Sequence, residues 1–133
     1  MIIADTSVWI DYFNGKDSIY TDRLDVELDR AEVAIGDIIL LEILQGFRND
    51  SEYRKAKKEL NTLDQYEMFG HAMVYKCADN YRTLRKSGIT IRKTVDIIIA
   101  TFCIENKFTL LFSDKDFAPF VKKLGLVSTI PET

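Results

Sequence analysis

The sequence predicts an α/β protein, an α/β/α sandwich whose central parallel sheet is packed between helices, and three observations predict it. Short apolar runs at residues 2–4, 33–35 and 109–112 alternate with longer helical stretches along the chain, the order that βαβ units produce. None of these runs shows polar alternation, so each reads as a strand buried on both faces, as parallel strands are. Acidic residues mark the ends of the buried elements. Asp5 follows the first run, Asp114 follows the last, and Asp96 opens an apolar helix.

The elements follow in order. After strand 2–4 and Asp5, Thr6-Ser7 supplies a helix start, and Val8, Trp9, Ile10, Tyr12 and Phe13 fill a short helix that stops at Asn14-Gly15. Residues 18–31 place Ile19, Leu24 and Leu28 among charges, as on a surface helix. Strand 33–35 ends at Gly36-Asp37, with Asp37 positioned to cap the helix Ile38–Phe47. That helix is apolar on nearly every face and is expected to be buried, with Glu42 in its middle. Residues 51–63 form an amphipathic basic helix, and a short segment around Tyr66–Phe69 leads to a long helix over 71–86. The stretch 94–117 then carries an apolar helix over 96–105 and the strand 109–112. A last helix over 115–124, a short strand at 126–127 and a tail complete the chain.

At 133 residues this is about one domain, so 1–133 is expected to fold as a single unit. Hydrophobic residues make up 47% of the chain with two prolines and six glycines, which calls for a packed globular core. No apolar run approaches the ~18 residues a membrane span needs. The start Met1-Ile2-Ile3-Ala4-Asp5 lacks the basic residues and long apolar stretch of a signal peptide. Cys77 and Cys103 stand in no ligand-like spacing and read as reduced thiols inside a cytoplasmic protein. The net charge of −3 hides a segregation. Residues 1–50 hold 11 Asp/Glu against 4 Lys/Arg, whereas residues 51–95 hold 5 against 10. That pattern fits a polyanion-facing surface beside an acidic site, and it equally fits solvated helix faces.

Four acids stand out. Ligand sites in open α/β sheets form outside the carboxyl ends of the strands, where Asp5 and Asp114 lie. Asp96 lies in the first turn of a buried helix. Glu42 lies mid-helix, where a buried carboxylate costs several kcal/mol (roughly) unless it is paired, protonated or metal-bound. Each has a plainer explanation as well. Asp5 can be an N-cap, Asp96 can favour a helix dipole, Asp114 and Asp116 can form turns, and Glu42 can pair with a base or reach solvent. If they converge, crowded carboxylates repel one another, and a divalent metal relieves that repulsion. Oxygen ligands alone select Mg²⁺ or Mn²⁺ rather than Zn²⁺, and the matching chemistry is metal-assisted phosphodiester hydrolysis. His71 is the one histidine, an ordinary helix-start or surface residue, so triad chemistry has little to build on. No P-loop and no GxGxxG occurs. Trp9, Tyr12 and Phe13 read as core rather than as a base-stacking platform.

Taken together, DTSVWIDYF at 5–13, DIILLEILQGF at 37–47, DIIIA at 96–100 and LLFSDKDF at 110–117 resemble PIN-domain nucleases, and more narrowly VapC-type toxins of toxin–antitoxin pairs. The ordered set spans essentially the whole chain. The resemblance implies a PIN-like α/β/α fold and Mg²⁺- or Mn²⁺-dependent endoribonuclease activity. By matching motifs it implies Asp5 and Asp96 as direct metal ligands, with Glu42 and Asp114 completing the site and Asp116 possible as a further ligand. Thr6 and Ser7 match small polar residues beside the first acid that hold a water or phosphate. The resemblance also implies an RNA substrate, a homodimer and a VapB-like antitoxin that silences the enzyme, in a cytoplasmic protein without a membrane.

The residues themselves add a candidate RNA path. Arg54, Lys55, Lys57, Lys58, Arg82, Arg85, Lys86, Arg92 and Lys93 supply positive charge near an acidic site. Arg92 and Lys93 lie just ahead of Asp96 and are expected to position the phosphate. Two other functions fit the same residues less well. One is a PIN nuclease of general RNA processing without an antitoxin. The other is an RNA- or partner-binding module without catalysis, against which the intact acid set speaks, since binding alone needs no metal cluster.

Overall fold

The computed structural model describes residues 1–131; Glu132 and Thr133, the end of the expected unit, lie outside the described residues. Four parallel strands form the sheet: β1 (Ile2–Ala4), β2 (Val33–Gly36), β3 (Asp64–Tyr66) and β4 (Thr109–Leu111), in the order β3-β2-β1-β4. Ile2 lies between Val33 and Thr109 in register, so β1 is hydrogen-bonded on both sides. Successive strands run outward from β1 to β3, and β4 then returns to the opposite side of β1. The gap between the carboxyl ends of β1 and β4 is therefore the topological switch point, where sites form in open α/β sheets.

Helices cover the sheet in the α/β/α arrangement. The first group is α1 (Thr6–Phe13), α2 (Ile19–Asp29), α3 (Asp37–Gln45) and α4 (Asp50–Leu60), with α1 packed on α2 and α3, and α3 on α4. The second is α5 (His71–Lys86), α6 (Thr94–Asn106) and α7 (Ala118–Leu124), with α5 packed on α6 and α7. Ile3, Ile35, Ile39, Ile99, Leu110, Phe117 and Phe120 form the centre of one apolar core, each almost wholly removed from water. Trp9 belongs to that core, as expected. No described helix is long and apolar enough to cross a membrane.

Several boundaries differ from the sequence reading, each for a local reason. Helix α4 stops at Leu60, with Asn61 as its C-cap, three residues before the expected end. Helix α6 begins at Thr94, two residues before the expected start, and Asp96 lies in its first turn as expected. The expected helix over 115–124 is divided into a 3₁₀ turn, Lys115–Phe117, and α7, which carries Pro119 in its first turn. That proline lacks an N–H and is tolerated only where no intrahelical bond is needed. The expected strand at 126–127 is replaced by a single bridge between Leu110 and Ser128. Strand β3, absent from the reading, has the sequence Asp-Gln-Tyr and is mostly exposed. The helix holding Glu42 is not buried all round, since Leu41 is 63% exposed and Glu42 itself is half-buried.

Candidate active site

The site is built where β1 and β4 end. Ala4 is the last residue of β1, and the Asp5 N–H donates to the Leu111 carbonyl at 2.9 Å, which ties the start of α1 to the end of β4. Asp5 occupies the N-cap position of α1, yet its side chain makes no cap bond. Its carboxylate instead accepts from Ser7 Oγ at 3.0 Å and is only 6% exposed. Burial pushes its pKa above the ordinary aspartate value; the Ser7 bond pulls the other way, and the charge of Glu42 adds to the rise.

Asp96 comes from the first turn of α6, a helix buried continuously from Asp96 to Cys103. It too is 6% exposed, and its Oδ2 is buried without a hydrogen-bond partner. Its pKa is pushed up from 3.8 to about 6, first by burial and then by the charge of Asp5. Asp114 and Asp116 add to the rise, and Lys93 opposes it. The plainer role of a helix-dipole acid does not account for a carboxylate held out of water with one oxygen unpaired, a costly arrangement for a group that only stabilises a fold.

Asp114 lies beyond β4 and caps the 3₁₀ turn, its Oδ1 accepting from the Asp116 N–H at 2.9 Å. It is thus a turn former and also a member of the acid group. One carboxylate oxygen each from Asp96, Asp114 and Asp116 lie within 4.8 Å of one another. Asp116, which the resemblance gives only as a possible further ligand, is in this tight group. Glu42 lies outside this tight group but near enough to Asp5 for its charge to act on it. Its Oε1 accepts from Thr6 Oγ1 at 2.7 Å, so the two small polar residues after Asp5 each hold one acid, Ser7 for Asp5 and Thr6 for Glu42.

Of the basic residues on the expected RNA path, Arg92 and Lys93 are tied to these acids. Arg92 Nη2 lies 3.4 Å from both carboxylate oxygens of Asp116, and Lys93 acts on Asp96 through its charge. Arg85 stacks over Tyr81 on α5, with its guanidinium carbon 5.6 Å from the ring centre, and Lys86 is exposed at the end of the same helix. Arg54, Lys55, Lys57 and Lys58 form the exposed face of α4, where Lys57 lies 5.9 Å from the centre of the Tyr53 ring. Cys77 and Cys103 are buried free thiols, both pushed up in pKa by burial. His71 is an exposed residue at the start of α5, edge-on to Tyr75.

A family model of the PIN domain matches residues 2–123. The chain belongs to the PIN domain family. This PIN domain is 30% identical over 123 residues to a VapC ribonuclease of Mycobacterium bovis and to Ribonuclease VapC11 of Mycobacterium tuberculosis, covering 88% of this chain and 89% of each relative. It is therefore a VapC-type member. Its fold is shared with VapBC2 from Rickettsia felis, solved bound to a promoter DNA fragment. The TM-score there is 0.70 at 22% identity, over 96% of this chain and 97% of that one. A toxin–antitoxin complex from Klebsiella pneumoniae superposes with a TM-score of 0.66 at 19% identity, over 96% and 97% of the two chains. FitAcB from Neisseria gonorrhoeae gives 0.71 at 16% identity, over 97% of each chain.

Proposed function

We propose that this PIN domain is a metal-dependent endoribonuclease and the toxin of a type II, VapBC-like toxin–antitoxin pair. The observation that carries the proposal is the acid group at the sheet's switch point, with the buried, unpaired Oδ2 of Asp96 at its heart. A buried carboxylate oxygen without a donor, beside three other acids, fits a divalent cation better than it fits any structural role. The donors are all oxygens, which suits Mg²⁺ or Mn²⁺. Asp96, Asp114 and Asp116 would hold the ion together with Asp5, and Glu42 would complete the site through its bond to Thr6. Such an ion supplies a water nucleophile at neutral pH and offsets charge gathering on a phosphodiester.

The chain's own residues do the rest. Ser7 fixes the rotamer of Asp5, and Thr6 fixes that of Glu42. Burial of Asp5 and Asp96 keeps bulk water from screening the charges that meet the substrate. Arg92 and Lys93 bring positive charge to the rim, where an RNA backbone would arrive, with Arg85 and Lys86 extending the path. The relatives' names support ribonuclease activity, and the neighbouring complexes support an antitoxin partner. A groove of about 800 Å³ lined by Tyr12, Phe13, Phe47, Arg48 and Lys55, among others, supports a partner surface. The homodimer rests on the likeness to VapC-type toxins. In this reading residues 1–133 act as one cytoplasmic ribonuclease domain.

The test is RNA cleavage by metal-stripped protein with and without added Mg²⁺ or Mn²⁺, beside Asp5→Asn and Asp96→Asn purified identically. Metal-restored cleavage that both substitutions abolish is the expected result. Equal cleavage by all three proteins, or no cleavage of any RNA in a broad set together with no metal-linked rise in melting temperature, refutes the proposal.

A further inference from the structure

Arg92 occupies an unusual position. It is the second residue before the first turn of α6, its side chain is 79% exposed, and its one ion pair among the described residues is with Asp116, itself a member of the tight acid group. The contact is long and loose, one Nη2 straddling both oxygens at 3.4 Å. By contrast the backbone of Asp116 is held firmly, its N–H bonded to Asp114 at 2.9 Å. Only the Asp116 side chain is free to change partner. It faces a guanidinium on one side and the carboxylates of Asp96 and Asp114 on the other.

We infer that Arg92 is a latch on the metal site. Without metal it neutralises Asp116, and on metal uptake it is released to clamp the substrate phosphate. The inference rests on the proposal that the acid group holds a divalent cation. Its logic is competition for one carboxylate: whatever occupies Asp116 from the acid side weakens the Arg92 pair, and the pair opposes the cation by the same factor. An exposed pair of this kind is worth little, so release is cheap. A freed guanidinium at the rim then meets a better partner, since Arg and phosphate form paired, charge-assisted hydrogen bonds. Lys93 acts on the buried Asp96 through its charge and, among the described residues, forms no ion pair that metal uptake would release.

The latch makes two effects of one substitution run in opposite directions. In calorimetric titration of metal-stripped protein with Mn²⁺, Arg92→Ala is expected to bind the ion about two- to five-fold more tightly than wild type. Arg92→Lys is expected to fall between them. In an Asp116→Asn background the Arg92→Ala effect on Mn²⁺ vanishes, because the pair is already gone. At saturating Mn²⁺, Arg92→Ala raises KM for RNA and flattens the salt dependence of kcat/KM by about one phosphate contact. A merely structural arginine would weaken both metal and RNA when removed. Mn²⁺ affinity that is unchanged or weaker in Arg92→Ala, or an Arg92→Ala effect that persists with Asp116→Asn, overturns the latch and leaves the metal site standing. A wild type that takes up no Mn²⁺ overturns the metal site and the latch together.

Discussion

Asp96→Asn is expected to stabilise the metal-free protein at neutral pH while abolishing its response to metal. Below about pH 3.8 the Asp96 carboxyl is neutral in both the folded and the unfolded chain. As pH rises, the unfolded chain loses this proton first, and the folded chain keeps it until about pH 6. The folded state binds more protons in that window, so stability falls with rising pH and the loss is complete above it. At about 1.4 kcal/mol for each pH unit the shift corresponds to roughly 3 kcal/mol, and water at the rim of the site reduces this to about 1–2 kcal/mol. Asparagine keeps the shape, carries no charge and brings an N–H₂ donor to its neighbours' oxygens.

The assay is thermal melting in chelator across pH 3.5 to about 8, with wild type and Asp96→Asn side by side. The two should melt together at the acid end. By pH 7 the variant should melt roughly 3–10 °C higher, the span that 1–2 kcal/mol represents for a domain of this size. On adding Mn²⁺ the order narrows or reverses, because only wild type gains binding energy. A variant that melts at or below wild type in chelator at pH 7 would refute the view that Asp96 is held in an unfavourable charge state by its surroundings.

Two further outcomes follow from the same geometry. Thr6→Val deletes the hydroxyl that donates to Glu42 at 2.7 Å while keeping the side-chain volume; kcat/KM for RNA should fall about ten-fold or more, since a misplaced group near the reacting centre costs up to about 10²-fold, and an unchanged kcat/KM would show that Glu42 needs no such support. Gly36→Ala puts a Cβ into the Met68 side chain, which is itself fully buried, so urea denaturation should show a loss of about 1–3 kcal/mol, and a variant as stable as wild type would mean that Met68 repacks freely.

The parts of this protein legible in its sequence are those where burial and chemistry agree. Strands β1, β2 and β4 are apolar because their side chains are largely buried beneath the covering helices, and runs such as Leu110-Leu111 announce that directly. Asp5, Asp96 and Asp114 were visible because an acid beside such a run needs a reason. Strand β3 was not visible, because it is an edge strand whose side chains are mostly exposed. Its Asp64 and Gln65 face water, and what makes it a strand is backbone pairing to Ala34 and Ile35, which leaves no hydrophobic mark. The exposure of Leu41 was hidden for the opposite reason, since an apolar residue on a helix announces burial whether the cover is its own core or another surface.

Asp116 shows the same limit at the level of the site. Its sequence context, one residue into a 3₁₀ turn after Asp114, is that of an ordinary turn acid, and its N–H does serve the turn. Its place in the tight acid group depends on α6 bringing Asp96 across from a different element, a juxtaposition set by the packing of the Ile97–Cys103 face and by no local signal. The site is therefore readable as a list of acids but not as a geometry. The geometry is what turns Arg92, among the nine basic residues of the expected RNA path, into the one that forms an ion pair with an acid of the cluster.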